Sequence, residues 1–298
     1  MRSIVSATVA TTVALLFGAK LRADDLVLEL ITKLGVEKTV FVESVETGPS
    51  SSLQRYLPKR LLRNEKKYVM LSHTPVREFD PPLIMAIPWE NIKEITGERA
   101  TSTVLCVDGV KFTGSILTEV KTRDGLKYPL ASCKKVTVKT VTKSERRADA
   151  GPVAKCTVRF NNLTQAFEVR QAFFGTVGVY VKDSEKFQMK VAGEILAGNL
   201  SDFEKVTVKG SQPRPRSFYE QIADFTRIAV KPPKGKETEG DLLGKVGSMV
   251  FYTPNDCTIL IRFVGYPHAW MVTMEARTPG EKIPPGLFKG ILKTRDKK

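Results

Sequence analysis

Histidine is scarce in this chain, where only His73 and His268 occur among 298 residues. A metal site of three histidines, or a mechanism that needs a histidine pair, is therefore hard to build within one chain. The sequence also lacks the glycine-rich phosphate loop, the dinucleotide-binding fingerprint, the zinc-protease helix motif and the serine nucleophile elbow. We therefore expect no catalytic residues, no metal site and no cofactor.

Long hydrophobic runs are also missing, because no segment reaches the roughly 18 apolar residues that a membrane-spanning helix needs. A shorter, mostly apolar run at 9–19 follows Arg2. This order is typical of a signal peptide, here over residues 1–23, and it predicts export to a periplasmic or extracellular compartment. Two alternatives remain open. Lys20 and Arg22 with no preceding acid also suit a mitochondrial presequence, and an uncleaved segment would be a short membrane anchor.

Acidic residues are few relative to basic ones, with 32 aspartates and glutamates against 47 lysines and arginines, and a formal net charge of +15. An acidic polymer or an acidic protein surface is therefore the electrostatically natural partner. Nucleic acid is one such polymer, although no nucleic-acid-binding motif is present. The predicted contact surface joins two basic groups, and its residues are Lys59, Arg60, Arg63, Lys66, Lys67, Lys134, Lys135, Lys139, Lys143, Arg146 and Arg147. The alternative for each group is a well-solvated face of a basic protein.

Three stretches of the chain share one pattern: "IPWENIKEIT" at 87–96, "YPLASCKKVT" at 128–137 and "GNLSDFEKVT" at 198–207. Each has an apolar third residue, a short polar bend, and then alternating residues that end in threonine. The aligned apolar positions are Trp89, Leu130 and Leu200; Ile92, Cys133 and Phe203; and Ile95, Val136 and Val206. A polar bend followed by alternation with a period of two predicts a turn that leads into a β-strand. Each stretch is therefore expected to close one small β unit.

Cysteine is infrequent too, and the four cysteines show no C-x-x-C spacing, so neither a zinc ribbon nor a thioredoxin-type site is indicated. Cys133 stands where the related stretches have isoleucine and phenylalanine, and Cys106 stands where the following unit has Phe160. Both cysteines are therefore predicted to point into the core. They could form a disulfide in an oxidising compartment, and two buried free thiols are the alternative.

Turn signals between short alternating runs, such as Asp108-Gly109 and Asp124-Gly125, predict compact β meanders. Acids, leucines and a closing glycine near the start predict a short amphipathic helix. We therefore predict a mainly β protein of tandem small β-barrel or β-meander units. The predicted segments are a signal peptide at 1–23, a short helix at 24–36, β units at 37–97, 98–143 and 144–210, a Pro-rich linker with a short helix at 211–245, and a C-terminal β region at 246–298.

The middle unit has glycines on both sides of a strand, then a T-x-x-G hairpin and a P-L-x-x segment with two later apolar positions. The residues that carry this pattern are Gly109, Phe112, Gly114, Thr122, Gly125, Pro129, Leu130, Cys133 and Val136. The pattern, over about residues 100–140, resembles a β-repeat of exported bacterial proteins of unassigned function. The resemblance implies a small β-barrel-like module and an envelope setting, and Cys133 departs from it because an aliphatic residue is usual there.

Three functions are compatible with the sequence. The first is a non-catalytic exported binding or scaffold protein whose basic surface contacts an acidic polymer or partner. The second is a structural subunit of an assembly, including a self-association, in which edge strands pair. The third is an enzyme of unrecognised type, which would need Cys257 and His268 to converge with acidic groups in a pocket.

Overall fold

The computed structural model describes residues 26–47, 67–72, 83–98, 101–139, 151, 153–160, 163–176, 185–210, 226–243, 246–262 and 270–288. Within these ranges the chain forms 21 strands in two antiparallel sheets, which confirms the mainly β prediction. None of the helical segments found in these ranges has the length and apolar character to cross a membrane. The predicted signal peptide lies outside the described residues.

The larger sheet has 13 strands, which we number in chain order over the whole molecule. They are β1 (Val27–Thr32), β2 (Glu37–Thr47), β3 (Tyr68–Ser72), β4 (Leu83–Pro88), β5 (Ile92–Glu98), β6 (Thr101–Cys106), β7 (Lys111–Ile116), β8 (Thr118–Thr122), β9 (Lys127–Pro129), β10 (Cys133–Val138), β13 (Gln171–Thr176), β19 (Val246–Tyr252) and β20 (Thr258–Arg262). Their spatial order is β13-β19-β20-β4-β3-β7-β6-β5-β10-β1-β2-β8-β9.

The smaller sheet has eight strands. They are β11 (Ala154–Phe160), β12 (Leu163–Val169), β14 (Lys186–Val191), β15 (Glu194–Asn199), β16 (Lys205–Gly210), β17 (Thr226–Lys231), β18 (Thr238–Leu242) and β21 (Trp270–Ala276). Their spatial order is β12-β11-β21-β16-β17-β18-β14-β15.

The three related stretches have the same local structure. Each contains a single turn of 3-10 helix, at Trp89–Asn91, Leu130–Ser132 and Leu200–Asp202, and a strand follows each turn. The first residue of each turn is buried, and its carbonyl accepts a hydrogen bond from the backbone N–H three residues later. The buried residue anchors the turn, and the strand that follows it is β5, β10 or β16.

The helix predicted at 24–36 is wrong, because strand β1 (Val27–Thr32) occupies the middle of this segment. Leu28 and Leu30 are buried and alternate with exposed Glu29, which is the period of a strand. Backbone pairing with β10 on one side and β2 on the other holds this strand. Gly35, which suggested a helix end, has a φ of 81° in the turn between β1 and β2, where glycine adopts positive φ without steric cost.

Strands that are distant in the chain pair in both sheets. Of the strands in 246–298, β19 and β20 continue the larger sheet beside β4, whereas β21 lies between β11 and β16 of the smaller sheet. Two strands of the smaller sheet, β17 and β18, lie within the predicted linker at 211–245, and most of the predicted linker helix falls outside the described residues. The predicted barrel closure is not found among the described strands, because each sheet continues through such distant pairs and does not close on itself.

One hydrophobic core contains buried side chains of both sheets. Phe167 of β12 is central to it, since its ring centroid lies 6.2 Å from that of Phe112 in β7 and 5.9 Å from that of Phe251 in β19. A second, smaller cluster includes Met70 and Val250 and involves β3, β4, β19 and β20. In this shared core, the ends of several strands of the larger sheet pack against β11 and β12 of the smaller sheet.

Candidate functional site

A cavity of about 400 Å³ lies between the two sheets. The larger sheet contributes the turn before β5, the end of β6, strand β7 and the turn between β19 and β20, while the smaller sheet contributes β11, β12 and β21. The lining residues are Asn91, Cys106, Asp108, Val110, Phe112, Lys155, Cys156, Thr157, Ala166, Phe167, Glu168, Thr253, Pro254, Asn255, Cys257 and Glu275.

The pleat of the smaller sheet divides its cavity-lining residues between the two faces of the sheet. Cys156 and Phe167 are buried, so they lie on the core face of β11 and β12. Lys155 is exposed and is paired in register with Glu168 and Glu275, so these three charged side chains lie on the opposite face. The lining thus includes residues from both faces of the smaller sheet, since Lys155, Glu168 and Glu275 also line the cavity.

Two asparagines from distant parts of the chain form the polar wall of the cavity. Asn91 Nδ2 donates a hydrogen bond to the backbone carbonyl of Asn255 and lies 3.9 Å from Cys257 Sγ. Asn255 Nδ2 donates to Asp108 Oδ2 at 2.7 Å, and Asp108 Oδ1 accepts from the backbone N–H of Val110 at 3.0 Å. The side-chain oxygens of both asparagines are buried and have no hydrogen-bond partner. Because each of these oxygens has almost no accessible surface, neither is open to a molecule in the cavity.

The turn between β19 and β20 holds Asn255 in place through local hydrogen bonds. Thr253 Oγ1 accepts from the backbone N–H of Cys257 at 3.0 Å, and the Thr253 backbone N–H donates to the Cys257 carbonyl at 3.0 Å. Asp256 has a φ of 59°, a region that aspartate tolerates better than most residues, and its carboxylate is ion-paired with Arg170. The sequence "TPND" carries these turn residues, so the turn was predictable although its contact with Asn91 was not.

Two cysteines of the cavity, Cys106 and Cys156, have raised pKa values. The Cys106 thiol is hydrogen-bonded to that of Cys257, and this bond together with burial raises the pKa of Cys106. Burial alone raises the pKa of Cys156. All four cysteines are free and buried. The thiolate is the reactive form of cysteine, so Cys106 and Cys156 are poorly placed to act as nucleophiles.

Strand register separates the two cysteines of the predicted disulfide. Cys106 lies opposite Ile92, near one end of β5. The Cys133 backbone packs against Gly97, near the other end of β5. Five residues of extended strand span about 16 Å, whereas the Cα atoms of a disulfide lie within about 7 Å of each other. The Cys106–Cys133 disulfide is therefore excluded, and the neighbour of Cys106 is Cys257.

Prolonged oxidation of the folded protein with excess diamide should join Cys106 to Cys257, and slowly, because both thiols are buried. Both thiols lose their protons, one S–S bond forms, and the two electrons reduce the N=N bond of diamide to a hydrazine. Peptide mapping by mass spectrometry after alkylation would identify the crosslink, and Cys133 and Cys156 should be alkylated once the protein is denatured. In the control variant Cys257→Ser, Cys106 should stay alkylatable. A crosslink between Cys106 and Cys133 would contradict the strand register.

Four residues of the predicted basic surface lie within the described ranges. Lys67 and Lys134 are exposed. Lys135 is ion-paired with Glu94 at 2.6 Å and Lys139 with Glu29 at 2.9 Å. The remaining residues, which are Lys59, Arg60, Arg63, Lys66, Lys143, Arg146 and Arg147, lie outside the described residues.

The order of strands in the larger sheet shows how far apart the two predicted basic groups lie, as judged from Lys67 and Lys134. Lys67 directly precedes β3, and Lys134 lies in β10. Three strands, β7, β6 and β5, separate β3 from β10 in the larger sheet. At about 4.8 Å between neighbouring strands, β3 and β10 are roughly 19 Å apart along the sheet. Strand pairing therefore does not bring Lys67 and Lys134 together.

The described residues contain no group of three or more histidine, cysteine, aspartate or glutamate side chains placed to hold a metal ion. His73 and His268 lie outside these residues, so the pairing of His268 with Cys257 stays a prediction. The resemblance of the middle unit to exported bacterial β-repeats also stays a prediction. No protein-family model, no curated protein and no solved structure matches this chain.

Proposed function

We propose that this chain is a non-catalytic, exported binding protein whose basic segments contact an acidic polymer or an acidic protein surface. The proposal depends on the uneven distribution of positive charge along the chain. The described residues contain 25 lysines and arginines and 21 aspartates and glutamates, a net charge of +4 out of +15. The other +11 belongs to the remaining segments, of which 48–66 and 289–298 carry +4 each. The excess charge is thus concentrated outside the described strands.

Cross-strand ion pairs balance much of the charge on the sheets. Each pair joins a lysine to an acid on another strand or turn of the same sheet: Lys121–Glu43, Lys127–Glu46, Lys135–Glu94, Lys139–Glu29, Lys209–Glu239 and Lys231–Glu204. Exposed pairs of this kind contribute little to stability, but each one leaves less net charge for a polyanion. We therefore assign polyanion contact chiefly to the unbalanced segment 48–66 and to the C-terminal residues 289–298.

Replacing Lys59, Arg60, Arg63 and Lys66 together with glutamine should weaken binding to heparin by about 100-fold at low salt, because counterion release scales with the number of basic contacts. The slope of log K against log salt concentration should also become shallower by about 3. Isothermal titration calorimetry at several salt concentrations measures both quantities.

The matched control removes four positive charges that are paired on the sheets, with glutamine in place of Lys135, Lys139, Lys209 and Lys231. Its net charge equals that of the test variant, so a mechanism that depended on net charge alone would weaken binding equally in both. The proposal requires the control to keep most of the affinity. Absence of binding by the original protein to heparin, nucleic acid and anionic lipid at low salt would exclude it.

An exposed apolar edge favours a second function, assembly through strand pairing. β15 lies at the end of the smaller sheet, and its Ile195 and Leu196 are 65% and 42% exposed. An exposed apolar edge strand is a template for pairing with another chain. Antiparallel pairing of β15 with a second copy would place Glu194 opposite Asn199, whereas an in-register parallel pairing would oppose the two Glu194 carboxylates. The favoured occupant of this edge is therefore a second copy of the chain.

If β15 pairs between copies, the protein should be dimeric by size-exclusion chromatography with light scattering, and Ile195→Lys should shift it to monomer. Lysine on an edge strand opposes pairing because its charge would be brought into the interface. Leu34→Lys is the control, since Leu34 is 92% exposed in the turn between β1 and β2 and should not affect the mass. A monomer at all concentrations would rule out the assembly.

A further inference from the structure

We propose that two turns of the larger sheet form a docking surface for an anionic lipid bilayer. The turns lie at 33–36, between β1 and β2, and at 123–126, between β8 and β9. They carry three exposed apolar side chains, since Leu34 is 92%, Val36 47% and Leu126 49% exposed. The surface is separate from the basic segments 48–66 and 289–298, so it does not rest on the function proposed for those segments.

Contacts with β2 place the two turns toward the same end of this strand. The first turn leads directly into β2. The second turn lies beside it, because the Arg123 backbone N–H donates to the Phe41 carbonyl at 3.1 Å. Near the start of β2, Lys38 Nζ donates to Tyr128 Oη of β9 at 3.3 Å. The apolar side chains of both turns therefore belong to one end of the larger sheet.

Turn chemistry does not account for leucine at position 34. The turns at 32–36, 106–110 and 122–126 have the same geometry: the first residue donates a backbone hydrogen bond to the fifth, and the fourth is a glycine with positive φ. The residue before this glycine is Asp108 or Asp124 in the other two turns, and its carboxylate accepts a local hydrogen bond. Leu34 has no side-chain acceptor and is almost fully exposed, which favours a role in contact with another molecule.

Basic side chains surround the three apolar ones. Two lie in the turns, two lie in the strands that follow the turns, and one lies beside Cys133, which pairs with Thr32 next to the first turn. They are Lys33, Arg123, Lys38, Lys127 and Lys134. The acids nearby are Glu37, Asp124 and Glu46, which is ion-paired with Lys127, so the net charge is +2. A positive rim is attracted to anionic lipid headgroups.

A bilayer suits this surface better than a folded partner does. The apolar side chains stand on protruding turns, so a folded partner would have to supply a matching pocket for each turn. A fluid interface adapts to both turns at once. Leucine side chains buried about 5 to 10 Å into the boundary between headgroups and acyl chains, with lysines at headgroup level, are the usual arrangement of interfacial binding.

Co-sedimentation with vesicles of equal parts phosphatidylcholine and phosphatidylglycerol tests the proposal. Leu34→Asn should lower the partition coefficient by about tenfold, because a leucine side chain is no longer transferred into the bilayer. Asparagine is favoured in turns, so this variant should keep the turn. Leu126→Thr should lower the coefficient by about fivefold, because less of this side chain is exposed. Vesicles of phosphatidylcholine alone should bind the original protein at least about tenfold more weakly.

The matched control is Leu243→Thr, which removes a leucine that is 42% exposed just after β18 of the smaller sheet and should leave the partition coefficient unchanged. Leu34→Asn should keep its affinity for heparin, so failure of this proposal and failure of polyanion binding are distinguishable. Circular dichroism establishes that each variant is folded. Equal partitioning of Leu34→Asn, Leu126→Thr and the original protein would overturn the proposal, as would absence of binding to the anionic vesicles. A lower mass of Leu34→Asn without vesicles would overturn it by making this surface an interface between copies of the chain.

Discussion

Gly210→Ala should lower the free energy of unfolding by about 3 kcal/mol, since overpacking a buried site forces neighbouring groups to move. Gly210 ends β16 directly opposite Trp270 of β21. An added Cβ would lie well under 3.0 Å from three atoms of the Trp270 indole, closer than real Cβ atoms approach. The indole is only 3% exposed and belongs to the core that both sheets share, so it cannot shift without disturbing its neighbours.

Urea denaturation followed by tryptophan fluorescence measures this loss directly. Gly198→Ala in β15 is the control, because the nearest atom to its Cβ would be Phe187 Cε1 at 3.3 Å, on a side chain that can give by a few tenths of an ångström. We expect the control to cost about 1 kcal/mol or less. If both variants lost the same free energy of unfolding, the close contact between Gly210 and Trp270 would not be the cause of the destabilisation.

Phe167→Ala should destabilise the protein by about 3 to 5 kcal/mol, the usual cost of removing a buried phenylalanine ring. Phe167 contacts Phe112 and Phe251 across the boundary between the sheets, so the substitution removes the aromatic contact that joins β12 to β7 and β19. The ring also lines the cavity, and its removal would enlarge a space that the sheets cannot readily close.

Phe173→Ala provides the comparison for this prediction. Phe173 makes an edge contact with Tyr252 at 5.7 Å between centroids, is half-buried, and belongs to the smaller cluster, so its truncation does not separate the two sheets. Its cost should be at least about 1 kcal/mol smaller than that of Phe167→Ala. Chemical denaturation of both variants measures the difference, and a larger loss for Phe173→Ala would show that the sheets are held together elsewhere.

Local sequence patterns predicted the local structure correctly where the apolar residues of a stretch followed a single periodicity. The stretches at 87–96, 128–137 and 198–207 show a buried residue, a polar bend and alternation, and each forms a turn and a strand. The pattern at 24–36 contains two periods, because Leu28 and Leu30 alternate while Ile31 and Leu34 fit a helix. Pairing with β10 and β2 selected the strand, and a single-sequence pattern carries no information about those partners.

The sequence by itself determined the β class, the turns that precede strands, and the burial of Cys106 and Cys133. Only the tertiary structure decided which strands pair, and hence that Cys106 meets Cys257 and that Asn91 meets Asn255, 164 residues away. The physical reason is that an apolar strand face is compatible with many neighbours. Its actual neighbour is selected by packing and register over the whole sheet, which no local spacing encodes.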